Sequence, residues 1–161
     1  MSASVLQEII LLGLYPAVLC AAIGTDIARR VIPNLLVAAL VAGFAAMVLV
    51  SPMPDLSLRL LVAGAVTALG FSLFAQDLVG AGDAKFAGAL VLWLDPLQLP
   101  LFALLAGLIG GALSLGFAMR LQRHAAGVPG APAMETSLPY AVALAGAGLL
   151  LHPYSSLMLG A

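Results

Sequence analysis

The chain has 161 residues, 63% of them hydrophobic and only 8% charged, with a formal net charge of −1. So apolar a composition excludes an ordinary water-soluble domain and turns most of the surface toward lipid or toward other lipid-facing helices. No basic run invites nucleic acid, and the length supports one compact bundle, a single domain over residues 1–161 without a separate soluble part.

A membrane-crossing helix needs about 20 mainly apolar residues to span a hydrocarbon core about 30 Å thick. Val5 to Thr25 meets that length, with Glu8 near one end and Pro16 as the site of a mild kink. The start Met1-Ser2-Ala3-Ser4 lacks the basic region of a cleaved signal, so this run reads as a retained span. Cys20 stands alone within it, which leaves neither a disulfide framework nor a CxxC pair, only a small core or lipid-facing residue. After Asp26-Ile27-Ala28-Arg29-Arg30, Ile32-Pro33-Asn34 opens a second span to Val50, with Asn34 as its expected cap. Ser51-Pro52-Met53-Pro54-Asp55 is a turn by composition, and Leu56 to Ala75 is the third span. Gln76 to Lys85 contains Gly80-Ala81-Gly82-Asp83-Ala84-Lys85, followed by a short apolar run from Phe86 to Leu94 that borrows part of the glycine region to make a fourth span. Leu97 to Met119 is the fifth span and Leu138 to Met158 the sixth, with Arg120 to Ser137 as the one sizeable loop. The expected fold is an all-α integral membrane bundle of about six transmembrane helices.

Six spans put Arg29, Arg30, Lys85, Arg120 and Arg123 on one side and Arg59 on the other. The positive-inside rule makes the first side cytoplasmic and leaves both termini outside. Asp26 and Asp83 then approach the same face. Asp83 is about 18 Å along a helix from Asp95, and Asp26 about 27 Å from Glu8, at about 1.5 Å per residue. Ionisable groups at such depth are costly and mark chemistry or ion handling.

Two carboxylates sharing a site do not both ionise readily; one holds a proton while the other stays charged. The charged partner can activate water against a peptide carbonyl, and the protonated one can donate to the carbonyl oxygen. Gly80 and Gly82 would let the backbone bend and a substrate strand approach. Taken alone, the hexapeptide reads equally as a plain helix start with an Asp cap.

Asp26 followed by Ile32-Pro33-Asn34, then Gly80-Ala81-Gly82-Asp83-Ala84-Lys85, then Leu138-Pro139-Tyr140 opening the last helix resembles the type IV prepilin peptidases, membrane aspartic endopeptidases of the GxGD type. The resemblance covers essentially the whole chain in length, helix count and motif order. It implies that Asp26 and Asp83 are the catalytic pair, with Gly80, Gly82 and Lys85 in support. It also implies substrates that are prepilins or pseudopilins, whose short basic leader is removed at the cytoplasmic face of the bacterial inner membrane. The pilus assembly machinery is a further partner on that reading. Larger members carry a cysteine-bearing insertion and methylate the new N-terminus. With one cysteine and no such insertion, this chain resembles the short, peptidase-only form of Flp-type (tight adherence) systems. Ala141 follows the Pro-Tyr where many relatives have glycine.

The remaining candidates have plainer expectations. Asp77 reads as an interfacial helix-end residue, His124 as a solvated loop residue, and His152 as an interfacial or hydrogen-bonded core histidine. Gly107 and Gly111 form a GxxxG pair expected to pack within the bundle, with dimerisation as the alternative. Trp93 reads as an interfacial anchor. No cofactor is implied, and no His, Cys and carboxylate set has metal-ligand spacing. The competing function is a small proton- or ion-coupled transporter relaying through Asp26 and Asp83, although only one glycine-broken segment is evident where transporters carry two.

Overall fold

The computed structural model describes residues 3–53, 55–125 and 138–159, with the backbone alone for 120–125. Pro54, the side chains of Arg120, Arg123 and His124, and the part of the expected loop from residue 126 to Ser137 lie outside the described residues. Six principal helices make up most of the described chain: α1 (Ala3–Arg29), α2 (Asn34–Val50), α3 (Leu56–Phe74), α4 (Ala81–Val91), α5 (Leu99–Ala125) and α6 (Tyr140–Leu151). A 3₁₀ turn, His152–Tyr154, leads into a final short helix, α7 (Ser156–Leu159). The fold is an all-α, multi-pass membrane bundle. Among the described residues, four segments are long and apolar enough to cross a bilayer: Ala3–Arg29, Leu56–Phe74, Pro96–Met119 and Tyr140–Leu159. The fifth helix continues to Ala125, so the expected loop starts later than Arg120 and His124 lies on helical backbone.

The perturbation of α1 precedes Pro16 and is a change of winding. Ile9–Leu14 is wound as a π-helix, and the Tyr15 N–H reaches back to the Ile10 carbonyl. Proline has no N–H to donate, so the local register shift leaves the Leu11 carbonyl without its donor from position 16. His152 supplies one: its Nε2 lies 2.8 Å from the Leu11 oxygen. The expected core histidine is therefore the partner of a backbone group that the proline leaves bare, in a medium where no water can serve.

At 11 residues α4 is about 16 Å long, too short to cross alone. It survives by burial. Ala84, Phe86, Gly88, Ala89, Leu90 and Val91 are all buried, with α2, α3 and α6 around them. Its tightest neighbour is α3. A Cβ on Gly88 would collide with Thr67 Oγ1, and one on Gly70 would fall 2.8 Å from Ala84 Cβ. Close backbone approach through small residues is how membrane helices gain contact when lipid is as apolar as their side chains.

Trp93 is not an interfacial anchor. It is 1% exposed and sits at the end of α4, with its ring 5.0 Å from Tyr15 and 5.9 Å from Phe44. Next to it, Arg59 is 2% exposed and staples three segments together. Its Nη1 donates to the Leu94 carbonyl at 2.7 Å, and its Nη2 donates to Ser156 Oγ at 3.0 Å and pairs with the Asp95 carboxylate. Asp95 also accepts the Ser156 N–H at 2.7 Å. Burial acts to raise the Asp95 carboxyl, but the Ser156 hydrogen bonds and the Arg59 guanidinium outweigh it and hold Asp95 below the ordinary carboxylate range. The GxxxG pair also departs from expectation. Gly107 and Gly111 face open space, where an added Cβ would find nothing within 4 Å, so they do not pack against the described part of the bundle. Cys20, which could have been a core residue, is exposed.

Two outcomes follow from this packing. Gly88→Val should destabilise the protein by about 1–3 kcal/mol through overpacking against Thr67, whereas Gly107→Val should change it by less than about 0.5 kcal/mol; unfolding in detergent micelles compares them. Because the native Asp95 carboxyl is held low, its stabilising clamp is complete above the ordinary carboxylate range, about pH 4, and is lost as pH falls through the native value. The unfolding midpoint should therefore drop in acid, and Asp95→Asn should flatten that drop.

Candidate active site

The end of the bundle away from Arg59 is hollow. A cavity of about 820 Å³ opens among three pieces of chain: the α1–α2 connection, the α3–α4 connection with the first turns of α4, and the start of α6. Asp26, Gly80, Gly82, Asp83 and Lys85 all line it, so every expected site residue reaches one place. Asp77, Arg30, Asn34, Leu138 and Tyr140 line it too.

Asp26 is 5% exposed and lies in the last turn of α1. Its Oδ2 accepts the Ala141 N–H at 2.8 Å, and the Val142 backbone is a further donor. The cause is in the sequence of α6: its N-cap is Pro139, which has no side-chain acceptor, and the first N–H groups of a helix have no partners within it. Asp26 supplies the cap from another helix. Ala141, where many relatives have glycine, is fully buried. Arg30 ends α1 in the left-handed conformation, φ 54°, with its N–H bonded to the Asp26 carbonyl at 3.0 Å. Its charge lies beside the Asp26 carboxylate. In the sequence Arg30 stood out only by its sign; the turn that folds it back depends on a single non-glycine residue at positive φ.

Asp83 occupies the third position of α4, behind Gly80 as N-cap. The hexapeptide is thus both things the sequence allowed: a helix start, and a wall of the cavity. The Asp83 carboxylate takes a hydrogen bond from the Gly80 backbone and stands within electrostatic reach of Asp26. The role of Gly80 is room rather than a hinge. Its φ is −69°, open to any residue, but a Cβ there would come within 2.8 Å of Asp83 Oδ2. Gly82 is helical, and a Cβ on it would touch Ile32 at an ordinary 3.7 Å. Asn34 does not cap α2; Pro33 holds that position without a side-chain bond, and Asn34, one residue on, lines the cavity instead. Lys85 is exposed on the cavity wall. Among the described residues, no three His, Cys, Asp or Glu side chains gather as a metal site.

Two carboxylates from different helices, in a cavity open to water and flanked by backbone donors, are equipped for acid–base work on a peptide bond. A family model described as the type IV leader peptidase family matches residues 13–115, a stretch containing both aspartates and the glycine motif. The chain belongs to the type IV leader peptidase family. No curated protein and no solved structure matches it. The family match ends before α6, so the contribution of Ala141 to Asp26 comes from outside the matched stretch.

For a leader peptidase, displacement of one carboxylate by a fraction of the cavity should be costly. Gly80→Ala should lower turnover of a leader-bearing peptide by about tenfold or more while leaving the melting curve close to wild type; undiminished turnover would show that Asp83 does not need the space.

Proposed function

We propose that this protein is a membrane aspartic endopeptidase, a single peptidase domain that removes the short basic leader of Flp-type prepilins or pseudopilins at the cytoplasmic face of the bacterial inner membrane. Asp26 and Asp83 are the catalytic pair, and Gly80, Gly82 and Lys85 shape and support their site. The observation that carries the proposal is the meeting of Asp26 and Asp83 on one cavity from two separate helices. Both termini lie outside on this reading, with the cavity end inside, in keeping with Arg29, Arg30 and Lys85 at that end and Arg59 at the other. No N-methyltransferase activity accompanies the cleavage.

The pair shares one proton. The charged carboxylate takes a proton from water, and the water oxygen bonds to the carbon of the scissile carbonyl. The protonated carboxyl donates to the carbonyl oxygen, giving a tetrahedral diol. Collapse re-forms the C=O bond, breaks the C–N bond and passes a proton to the departing amine, which is the new N-terminus of the mature chain. The cavity, about 820 Å³, has room for an extended peptide segment at the pair.

An ion relay through the same residues would need a polar path to the opposite face. Along that direction stand the buried rings of Tyr15, Phe44 and Trp93, then the Arg59–Asp95 pair that closes the bundle. This arrangement favours the peptidase over the transporter.

Asparagine variants give the cleanest test, because Asp26→Ala would also strip α6 of its cap. Purified in detergent with a pilin-like peptide bearing a basic leader, Asp26→Asn and Asp83→Asn should each cut at least about 100-fold more slowly than wild type, with folding retained. Full activity in either variant would remove that residue from the pair.

A further inference from the structure

We propose that Asp77 determines leader specificity, pairing with a cationic side chain on the leader side of the scissile bond. The inference rests on the leader-peptidase reading and deepens it.

Asp77 is held in a fixed place. It follows α3 in the left-handed conformation, φ 58°, with its N–H bonded to the Phe74 carbonyl at 2.9 Å and the Leu78 N–H bonded to the Leu73 carbonyl at 3.1 Å. Those two bonds close the helix end much as a Schellman motif does, so the carboxylate projects from a defined point rather than from a loose loop. It lines the cavity that holds Asp26 and Asp83.

The three cavity carboxylates differ in what they already bind. Asp26 is engaged by the Ala141 N–H, and Asp83 by the Gly80 backbone. Asp77 is exposed, and its side chain makes no hydrogen bond or ion pair with the described residues. Its charge is spent on nothing within the described fold and remains available to a ligand. Among the described residues the cavity's cations do not compete for it: the charge of Arg30 lies beside Asp26, and neither Arg30 nor Lys85 forms an ion pair with Asp77.

Position supplies the sign and side of the partner. From Asp83, α4 runs inward to the Trp93 and Arg59 end, whereas Asp77 lies beyond the last turn of α3, on the open side of the pair. A basic leader cannot follow α4 into hydrocarbon without a large penalty. It must leave the pair on the water side, and there it passes Asp77. The apolar part of the substrate, after the scissile bond, takes the lipid side.

The test uses the full-length protein in detergent with three peptides identical after the cleavage point, whose leaders carry lysines, glutamines or glutamates. Wild type should favour the lysine leader. Asp77→Asn should raise KM for that leader about fivefold, leave kcat within about twofold, and leave the glutamine leader unchanged; Asp77→Lys should favour the glutamate leader. Asparagine tolerates the left-handed conformation, and Asp77→Gly, which adopts it without strain, serves should the asparagine variant fail to fold. Equal effects on all three leaders, or none, would overturn the inference while leaving the peptidase intact. No cleavage of any leader by wild type would overturn the peptidase reading, and the inference with it.

Discussion

A carboxylate on one helix caps the start of another, and much of the cavity end is built around that contact. The N-terminus of α6 begins at a proline with no acceptor to offer, and the Ala141 just behind it is fully buried, so a bare N–H there would be expensive. Asp26 meets that need with an oxygen 2.8 Å from the Ala141 nitrogen. The bond ties the last turn of α1 to the first turn of α6 and fixes two walls of the cavity. It also holds the Asp26 carboxylate at the hollow, within electrostatic reach of Asp83. One interaction therefore serves the fold and the site together.

The two ends of the bundle are built on opposite principles. At the Arg59 end the buried charge is neutralised within the chain: the guanidinium, the Asp95 carboxylate, the Ser156 hydroxyl and the Leu94 carbonyl close on one another. At the cavity end the two buried-side aspartates sit on separate helices, each bonded to backbone N–H groups rather than to a neutralising side chain. The short α4 connects them. Its packing on α3 through Gly70, Ala84, Thr67 and Gly88 leaves it little freedom to slide, so closure at one end fixes the depth of Asp83 at the other.

Much of this was legible in the sequence because membrane helices announce themselves by length and because charges are rare. The six principal helices, the meeting of Asp26 and Asp83 at one end of the bundle and the bonded His152 follow from apolar run lengths and isolated polar residues. What escaped depends on contacts between distant segments. Trp93 looked interfacial because it neighbours Asp95, yet Tyr15 and Phe44 enclose it. The spacing of Gly107 and Gly111 is the same whether the face meets a helix or open space, and here it meets open space. The acceptor for α6 could not be read at all, since a cap is expected from the residue before a helix and this one comes from α1. Asp77 was visible as a residue and obscure as a role for the same reason: its lack of a side-chain partner is a fact about the whole cavity wall.

The π-wound stretch of α1 has a geometric consequence of its own. An α-helix turns about 100° per residue, and a π segment accommodates roughly one extra residue without advancing the helix by a full step. Ile9–Leu14 therefore acts as an angular spacer between the N-terminal part of α1 and the part that carries Asp26. Were the segment to relax into regular α winding at fixed packing of the N-terminal turns, Asp26 would swing through roughly that angle and face lipid rather than α6. The phase of the helix, and with it the side of the molecule on which the carboxylate emerges, is set some three turns away from the cavity by a proline and a histidine that do not line it.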